Sequence, residues 1–252
     1  MILGWIGALF IGLSLGLLGS GGSILTVPVL VYLFGQDEKL AIASSLAIVG
    51  TIAFAGGLDY WHKRLIDWKA IILFGIPSML ASYLGAFLAV YLSGIFQLVI
   101  FAFIMFIAAV FMFRNNNLHQ VSEQISSLKI ISSGVGVGVM TGIIGIGGGF
   151  LIVPSLILFA GLAMRGAIAT SLVIITLNAY TGFFKYLQVL ALNNIQLDWM
   201  VIITVSTIGI IGTFIGHYLC HKIPQAKLKY YFAYFILLMA VFILFKELPK
   251  VF

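Results

Sequence analysis

Charged side chains are scarce in this sequence. Only 8% of its 252 residues are Asp, Glu, Lys or Arg, against about 25% in an average soluble domain. Hydrophobic residues make up 62%, and the mean hydropathy is +1.21. A water-soluble fold of this size has no interior able to hide that much apolar surface, so the expected solvent is lipid. Cysteine occurs once, at Cys220. That excludes an internal disulfide and a thiolate metal cluster, and the residue reads as a small apolar packing group. Basic runs are also missing: the net charge of +6 comes from bases standing singly between apolar stretches. Such bases anchor short loops at a membrane surface and give no nucleic-acid footprint. Residues 1–10 lack the positive n-region of a signal peptide and read as the start of the first segment. The longest polar stretch, Arg114 to Lys129, has the length of a connecting loop rather than a domain.

What is present is a series of apolar runs, at about 3–33, 40–58, 68–92, 94–113, 128–162, 167–190, 199–220 and 228–246. In lipid every backbone polar group must be satisfied within the chain. Runs of about 20 residues rich in Leu, Ile, Ala, Phe and Gly then predict an all-α integral membrane protein rather than a barrel. The runs also repeat. Gly16-Leu-Leu-Gly-Ser-Gly-Gly-Ser-Ile-Leu-Thr-Val-Pro28 returns as Gly142-Ile-Ile-Gly-Ile-Gly-Gly-Gly-Phe-Leu-Ile-Val-Pro154, and Ala41-Ile-Ala-Ser-Ser-Leu46 as Ala167-Ile-Ala-Thr-Ser-Leu172. At this offset of 126, 18 of the 45 residues from Gly16 to Tyr60 are identical to their partners. Shared apolar composition does not match Gly, Pro and Ser in order. Beyond an insertion near 190–194 the offset becomes 131, pairing Asp67-Trp68 with Asp198-Trp199 and Gly85 with Gly216. The expected organisation is a first transmembrane repeat over 1–113, a connecting loop over 114–127 and a second repeat over 128–252.

The first run of each half is too long for one simple span. Its 31 residues would reach about 46 Å at 1.5 Å per residue, against a hydrocarbon core of about 30 Å. Both runs are interrupted by a glycine cluster and a proline. If each interrupted run crosses once, each half has four spans and the halves are parallel. If each run enters, breaks and returns, each half is a re-entrant helix pair plus three spans, and the halves are inverted. The distribution of bases favours the second arrangement. One face then holds Lys63, Arg64, Lys69, Arg114, Lys129, Arg165, Lys222, Lys227 and Lys229, and the other only Lys39, Lys185, Lys246 and Lys250. Both termini would lie on the outer face.

The broken segments are the candidate site. A helix restarting after the glycines presents free N–H groups and about half a positive charge, an anion site that needs no lysine or arginine. The candidate substrate-binding residues are Ser20, Gly21, Gly22, Ser23, Ser44 and Ser45 in the first half. In the second half they are Gly147, Gly148, Gly149, Thr170, Ser171 and Asn178. Each has a plainer reading. Gly12, Gly16 and Gly19, like Gly134, Gly138 and Gly142, have the spacing of close helix packing. Ser44-Ser45 and Thr170-Ser171 could cap helices opened by a short polar turn. Asn178 suits either a pathway lining or an interhelical hydrogen bond. Asp59 and Lys185 occupy matching positions and read as snorkelling groups; Arg165 and Lys39 read as loop anchors. His217 and His221 are four residues apart with no acidic neighbour in sequence, which argues against a metal site. No cofactor motif is present, and no Lys-Ser/Thr follows the glycines to make a nucleotide loop.

Together these blocks resemble the TauE/SafE family of membrane proteins, the sulfite exporter-like anion transporters. Such proteins carry a glycine-rich, proline-terminated segment in each half, followed in the second half by Ala-x-Ala/Gly-Thr-Ser-Leu, here Ala167 to Leu172. The resemblance covers nearly the whole chain, with Ser23 in place of the third glycine found at Gly149 and Ser44 in place of threonine. It implies movement of sulfur oxyanions or organosulfonates across the cytoplasmic membrane. The expectation is a multi-pass secondary transporter for a small anion, sulfite-like, with the lipid bilayer as its other partner. Proton or sodium is the possible coupling ion. No acidic residue stands at mid-span, so no coupling site is visible in the sequence, and passive movement is equally open. An anion channel is the nearest alternative. A membrane-embedded enzyme would need a nucleophile or metal constellation that the sequence does not supply.

Overall fold

The structure is a computed structural model and describes residues 2–114, 126–144, 149–192 and 196–247. Among these every regular element is helical: α1 (Ile2–Leu18), α2 (Gly21–Tyr32), α3 (Glu38–His62), α4 (Trp68–Leu88), α5 (Gly94–Arg114), α6 (Ser127–Ile144), α7 (Gly149–Phe159), α8 (Met164–Leu192), α9 (Trp199–Lys222) and α10 (Gln225–Glu247). Five of the described helices, α3, α4, α6, α8 and α9, are long and apolar enough to cross a membrane.

Local chemistry explains the boundaries. Asp67 and Asp198 cap α4 and α9, their carboxylates accepting from Ala70 N at 2.9 Å and Val201 N at 3.1 Å. The tryptophans that follow, Trp68 and Trp199, are half exposed, as aromatic residues at a membrane surface are. α4 contains a π-helical turn at Ile71–Gly75, directly before Pro77, whose nitrogen cannot donate to the preceding turn. α1 ends where Gly19 adopts φ +72° and its N–H bonds Leu15 O at 2.8 Å, a left-handed cap that favours glycine. The prolines do not make the break: Pro28 and Pro154 lie inside α2 and α7, which continue past them. Ser44-Ser45 and Thr170-Ser171 do not cap either. α3 already begins at Glu38 after Asp37, and α8 at Met164.

Past Gly19 the chain folds back. Gly22 packs against Ile11 and Leu15, Gly7 against Val29 and Leu33, and Gly4 against Phe34. Trp5 and Phe34 meet edge to face with centroids 6.0 Å apart. α1 and α2 are therefore an antiparallel hairpin whose open end holds residues 4–5 and 33–34.

Small residues set the tightest interfaces. Gly12 faces the Gly209 backbone, Gly16 faces Thr213 O and His217 N, and Gly216 faces Leu13 O. Thr213 Oγ1 donates to Gly12 O at 3.0 Å. The numbers rise together, so α1 and α9 run parallel. In the same way Gly134 meets Phe74, Gly138 meets Ser78 and Gly142 meets Ser82, so α6 and α4 run parallel. In lipid, with little hydrophobic drive between helices, such backbone approach is a main source of association. Packing accounts for Gly12, Gly16, Gly134, Gly138 and Gly142.

α3 and α8 form the centre. Of their apolar windows 78% and 67% are buried, against 39–44% for α4, α6 and α9. They cross antiparallel: Gly182 touches Leu46, Gly50 touches Ala179, and Gly57 touches Leu172 and Val173. α9 packs on α3 and α4 on α8; α10 packs on α2 and α5 on α7; α5 packs on α10. The periphery presents Phe10, Ile72, Leu84, Phe103, Phe214 and Phe245 outward, all at least half exposed. Such a surface is stable only in contact with acyl chains.

Candidate functional site

The N-terminus of α2 is buried and carries no side-chain cap. Ser20 stands at the N-cap position, yet its hydroxyl makes no capping bond and has no hydrogen-bond partner, at 0% exposure. The first N–H groups of α2 belong to Gly21, Gly22 and Ser23, all buried. Ser23 Oγ donates to Ser20 O at 2.7 Å. Across from this turn, α8 places Ile168 against Gly19, and Ser171 Oγ bonds both Ile168 O at 2.8 Å and Gly19 O at 3.2 Å. α1, α2 and α8 thus converge on one uncapped, positively polarised helix end with hydroxyls around it.

The start of α7 meets the start of α2. A Cβ on Gly149 would stand 2.8 Å from Ser23 Oγ and 2.9 Å from Ile175 Cδ1. Ser23 and Gly149 are equivalent under the offset of 126, so the two duplicated helix starts touch at matching residues. Gly147 and Gly148 lie outside the described residues. Gly22 is held by packing: a side chain there would strike Ile11 O and Leu15 of α1, so close approach alone demands glycine.

The hydroxyl pairs do not share one anion. Ser171 lies level with Gly56 and Gly57 of α3, because Leu172 touches both. Ser45 is twelve residues away along α3, about 18 Å at 1.5 Å per residue. The single cluster expected from sequence is therefore two clusters, one near each end of the α3–α8 pair, with the Ser23–Gly149 contact between them. In the first, Thr170 Oγ1 accepts from Asp67 N at 3.0 Å. In the second, Ser45 Oγ donates to Ile42 O at 2.7 Å, and Ser44 Oγ, at 0% exposure, has no partner. Asn178 serves as interhelical glue on one side: its Nδ2 donates to Ser78 Oγ at 2.7 Å, tying α8 to α4. Its Oδ1 is buried without a partner. None of the described candidate residues reaches the surface. An apolar hollow of about 170 Å³ opens elsewhere, between Phe54, Trp61, Trp68 and Leu177, and none of these hydroxyls lines it.

The structure also assembles groups that sequence spacing left apart. His217 of α9, 2% exposed, stacks on Tyr60 of α3 with ring centroids 3.6 Å apart. Asp59 Oδ2 lies 2.8 Å from His217 Nδ1 and 2.8 Å from Lys63 Nζ. Asp59 is therefore a buried histidine's partner and not simply a snorkelling group. The available signal was the parallel register of α1 and α9, which glycine spacing alone does not give. At the equivalent place in the second half, Tyr186 is 3% exposed and takes a hydrogen bond from Gln97 Nε2 at 3.2 Å. Gln97 also donates to Ile143 O at 2.9 Å, near the end of α6. Lys185 behaves as a surface group, bonding Gln188 Oε1 at 3.0 Å and lying over the Tyr83 and Phe87 rings.

Comparison with known proteins places this architecture. A probable membrane transporter protein of Xylella fastidiosa is 28% identical over 94% of this chain and 92% of its own length. One of Methanocaldococcus jannaschii is 30% identical over 71% of each chain. One of Bacillus subtilis is 23% identical over 87% of this chain and 90% of its own. No solved structure matches. The family model of the sulfite exporter TauE/SafE matches residues 4–243, so this chain belongs to that family and is a membrane transporter, not an enzyme.

Proposed function

We propose that the chain is a secondary transporter of a small anion, a sulfur oxyanion or organosulfonate, moved across the cytoplasmic membrane by alternating access. The anion binds at the uncapped start of α2, on the N–H groups of Gly21 to Ser23 with the Ser20 and Ser171 hydroxyls. A counterpart half-site lies at the start of α7 with Ser44 and Ser45. The observation that carries this reading is the meeting of two buried helix starts at Ser23 and Gly149, with unpartnered buried oxygens at Ser20 and Ser44. A buried polar group without a partner costs about 1–3 kcal/mol, a cost that a bound oxyanion and its water would offset. Burial of all these groups favours a carrier over an open channel, because a carrier must close around its substrate between its two open states. The family's description as sulfite exporters supports sulfite as the first anion to test.

The two halves are inverted repeats in this reading. Support comes from the pairing of helices, which is unchanged when α1–α5 are exchanged for α6–α10, and from the antiparallel crossing of the equivalent helices α3 and α8. The hairpin of α1 and α2 is then re-entrant, and the face with nine bases is cytoplasmic. Labelling tests this. With Cys220 replaced by alanine, single cysteines at positions 64 and 161 should react from the same side of the membrane. A parallel duplication puts them on opposite sides.

The transport reading is tested by flux in proteoliposomes with labelled sulfite, sulfate, thiosulfate and sulfoacetate. At least one should move with saturable kinetics and exchange across the membrane. If none moves, and none raises thermal stability in detergent, the reading is wrong. Non-saturating flux without exchange would favour a channel.

A further inference from the structure

Two equivalent tyrosines are buried towards the ends of α3 and α8, and only one of them sits in a titratable cluster. Tyr60 and Tyr186 are equivalent positions and nearly equally buried. Tyr186 is held by the neutral amide of Gln97. Tyr60 lies under His217, which faces the Asp59 carboxylate. Lys185 and Ala86 stand at the equivalents of Asp59 and His217, each in the opposite half, so this device exists at one end of the molecule alone. A duplication that preserved the helices but made one end ionisable has given the two ends different chemistry.

We propose that Asp59 and His217 form a proton-binding site that loads the transporter together with its anion. The inference rests on the anion-transport reading and adds the coupling ion to it. Two observations carry it. The pair is contiguous with the hairpin: His217 N packs against Gly16, one turn before the Gly19–Ser20 break. The pair bridges inside and outside: the His217 side chain is 3% exposed while that of Asp59 is 31% exposed, so the carboxylate can hand a proton from water to a ring sealed beneath it. Further groups face the pair. From α3 the pair meets Tyr60 and Lys63, the latter already matched to Asp59. From α9 comes Cys220, hydrogen-bonded to Tyr60, and from α8 comes Arg165 within electrostatic reach of both. α1 contributes the backbone of Gly16.

The imidazole is the one side chain here whose ordinary titration falls between pH 5 and 8. Without the added proton, the Asp59 carboxylate faces the Lys63 ammonium and the His217 ring is uncharged. With it, the ring carries a positive charge, shared with Asp59 Oδ2 across the 2.8 Å contact. That charge lies beside the last turn of α1, where the helix dipole favours a cation. It also lies about two turns from the start of α2, where an anion would sit. A unit charge at that range, in surroundings between water and protein interior, changes anion affinity by about tenfold. Proton and anion therefore bind cooperatively, and each makes the other's loading more favourable.

The test uses the full chain in proteoliposomes with a pH-sensitive dye inside and sulfite as the probe anion. Wild type should show proton movement accompanying sulfite movement. A one-unit pH gradient should accumulate sulfite by up to about tenfold, the ratio of proton activities. His217→Gln should lose that accumulation and bind sulfite about tenfold more weakly, while exchange at equal pH and saturating sulfite persists. Asp59→Asn, at a more exposed position, is the second variant should His217→Gln not fold, and should give the same loss. Lys185→Gln, at the equivalent position of the other half, should stay coupled. If wild type moves sulfite with no proton movement, or either variant keeps full pH-driven accumulation, the proton site is refuted and the transport reading stands. If wild type moves none of the test anions, transport itself is refuted and the inference falls with it.

Discussion

Gly138→Leu should yield little or no folded protein, whereas Gly136→Leu, two residues away on the same helix, should be neutral. Gly138 lies against the backbone of α4: an added Cβ would collide with Ser78 O and come within 2.8 Å of Ser78 Cα and Ala81 Cβ. Neither helix can yield without separating along the whole α4–α6 face. Gly136 is exposed and a Cβ there meets nothing within 4 Å, so its leucine would simply join the acyl-facing surface. Overpacking in a well-packed interior costs about 1–3 kcal/mol and occasionally more. A backbone clash that cannot be relieved by a rotamer change belongs at or beyond the upper end, about 3 kcal/mol. Cys220 supplies the assay, being 1% exposed and the sole thiol of the chain. A thiol-reactive dye will report its exposure on heating, and an unchanged midpoint for Gly138→Leu would contradict the interface.

Gly149→Leu should separate transport from folding. Its neighbours are the Ser23 hydroxyl and the end of Ile175, side-chain atoms that can rotate aside, so the stability loss should be about 1–2 kcal/mol. The space taken, however, is the meeting point of the two helix starts. Sulfite flux should fall at least tenfold in protein that still folds, and Gly149→Ala should lie between. Flux within twofold of wild type for the leucine variant would remove the α2–α7 contact from the mechanism. The contrast with Gly138 matters because both are glycines in the same half. One touches backbone, the other touches side chains at the proposed pathway.

Much of the fold was legible in the sequence because glycine, proline and run length punctuate apolar segments strongly. The interruption of the first run, the bounds of the long spans and the Asp-Trp pairs that open α4 and α9 follow from that; the second interruption falls outside the described residues. The break itself was placed too broadly. Pro28 seemed part of it, but a proline that deep in α2 merely leaves one carbonyl free, and the turn is made by Gly19 alone at positive φ. Ser44-Ser45 resembled a cap because Gln36-Asp37-Glu38 precedes them, yet the helix starts at that acidic turn and carries the serines into its interior. The candidate site suffered more. Motif order suggested that both hydroxyl pairs surround one anion; the antiparallel crossing of α3 and α8 sets them about 18 Å apart. Asp59 and His217 are 158 positions apart, and no spacing rule brings them together. Their meeting depends on α9 lying parallel to α1 and on α3 beside it, a tertiary fact.

The crossed pairing of α1 with α9 and of α6 with α4 has a mechanical consequence. In the alternating-access cycle proposed above, neither half of the chain is by itself the piece that swings. α1 and α6 are each clasped, backbone to backbone, by a helix of the other half, so a body that rocks as proposed above is a composite drawn from both halves of the chain. A severed half would leave Gly12 and Gly16, or Gly138 and Gly142, with no helix to seat them. On the inverted reading proposed above, a single half completes these seats only as two molecules lying in opposite senses.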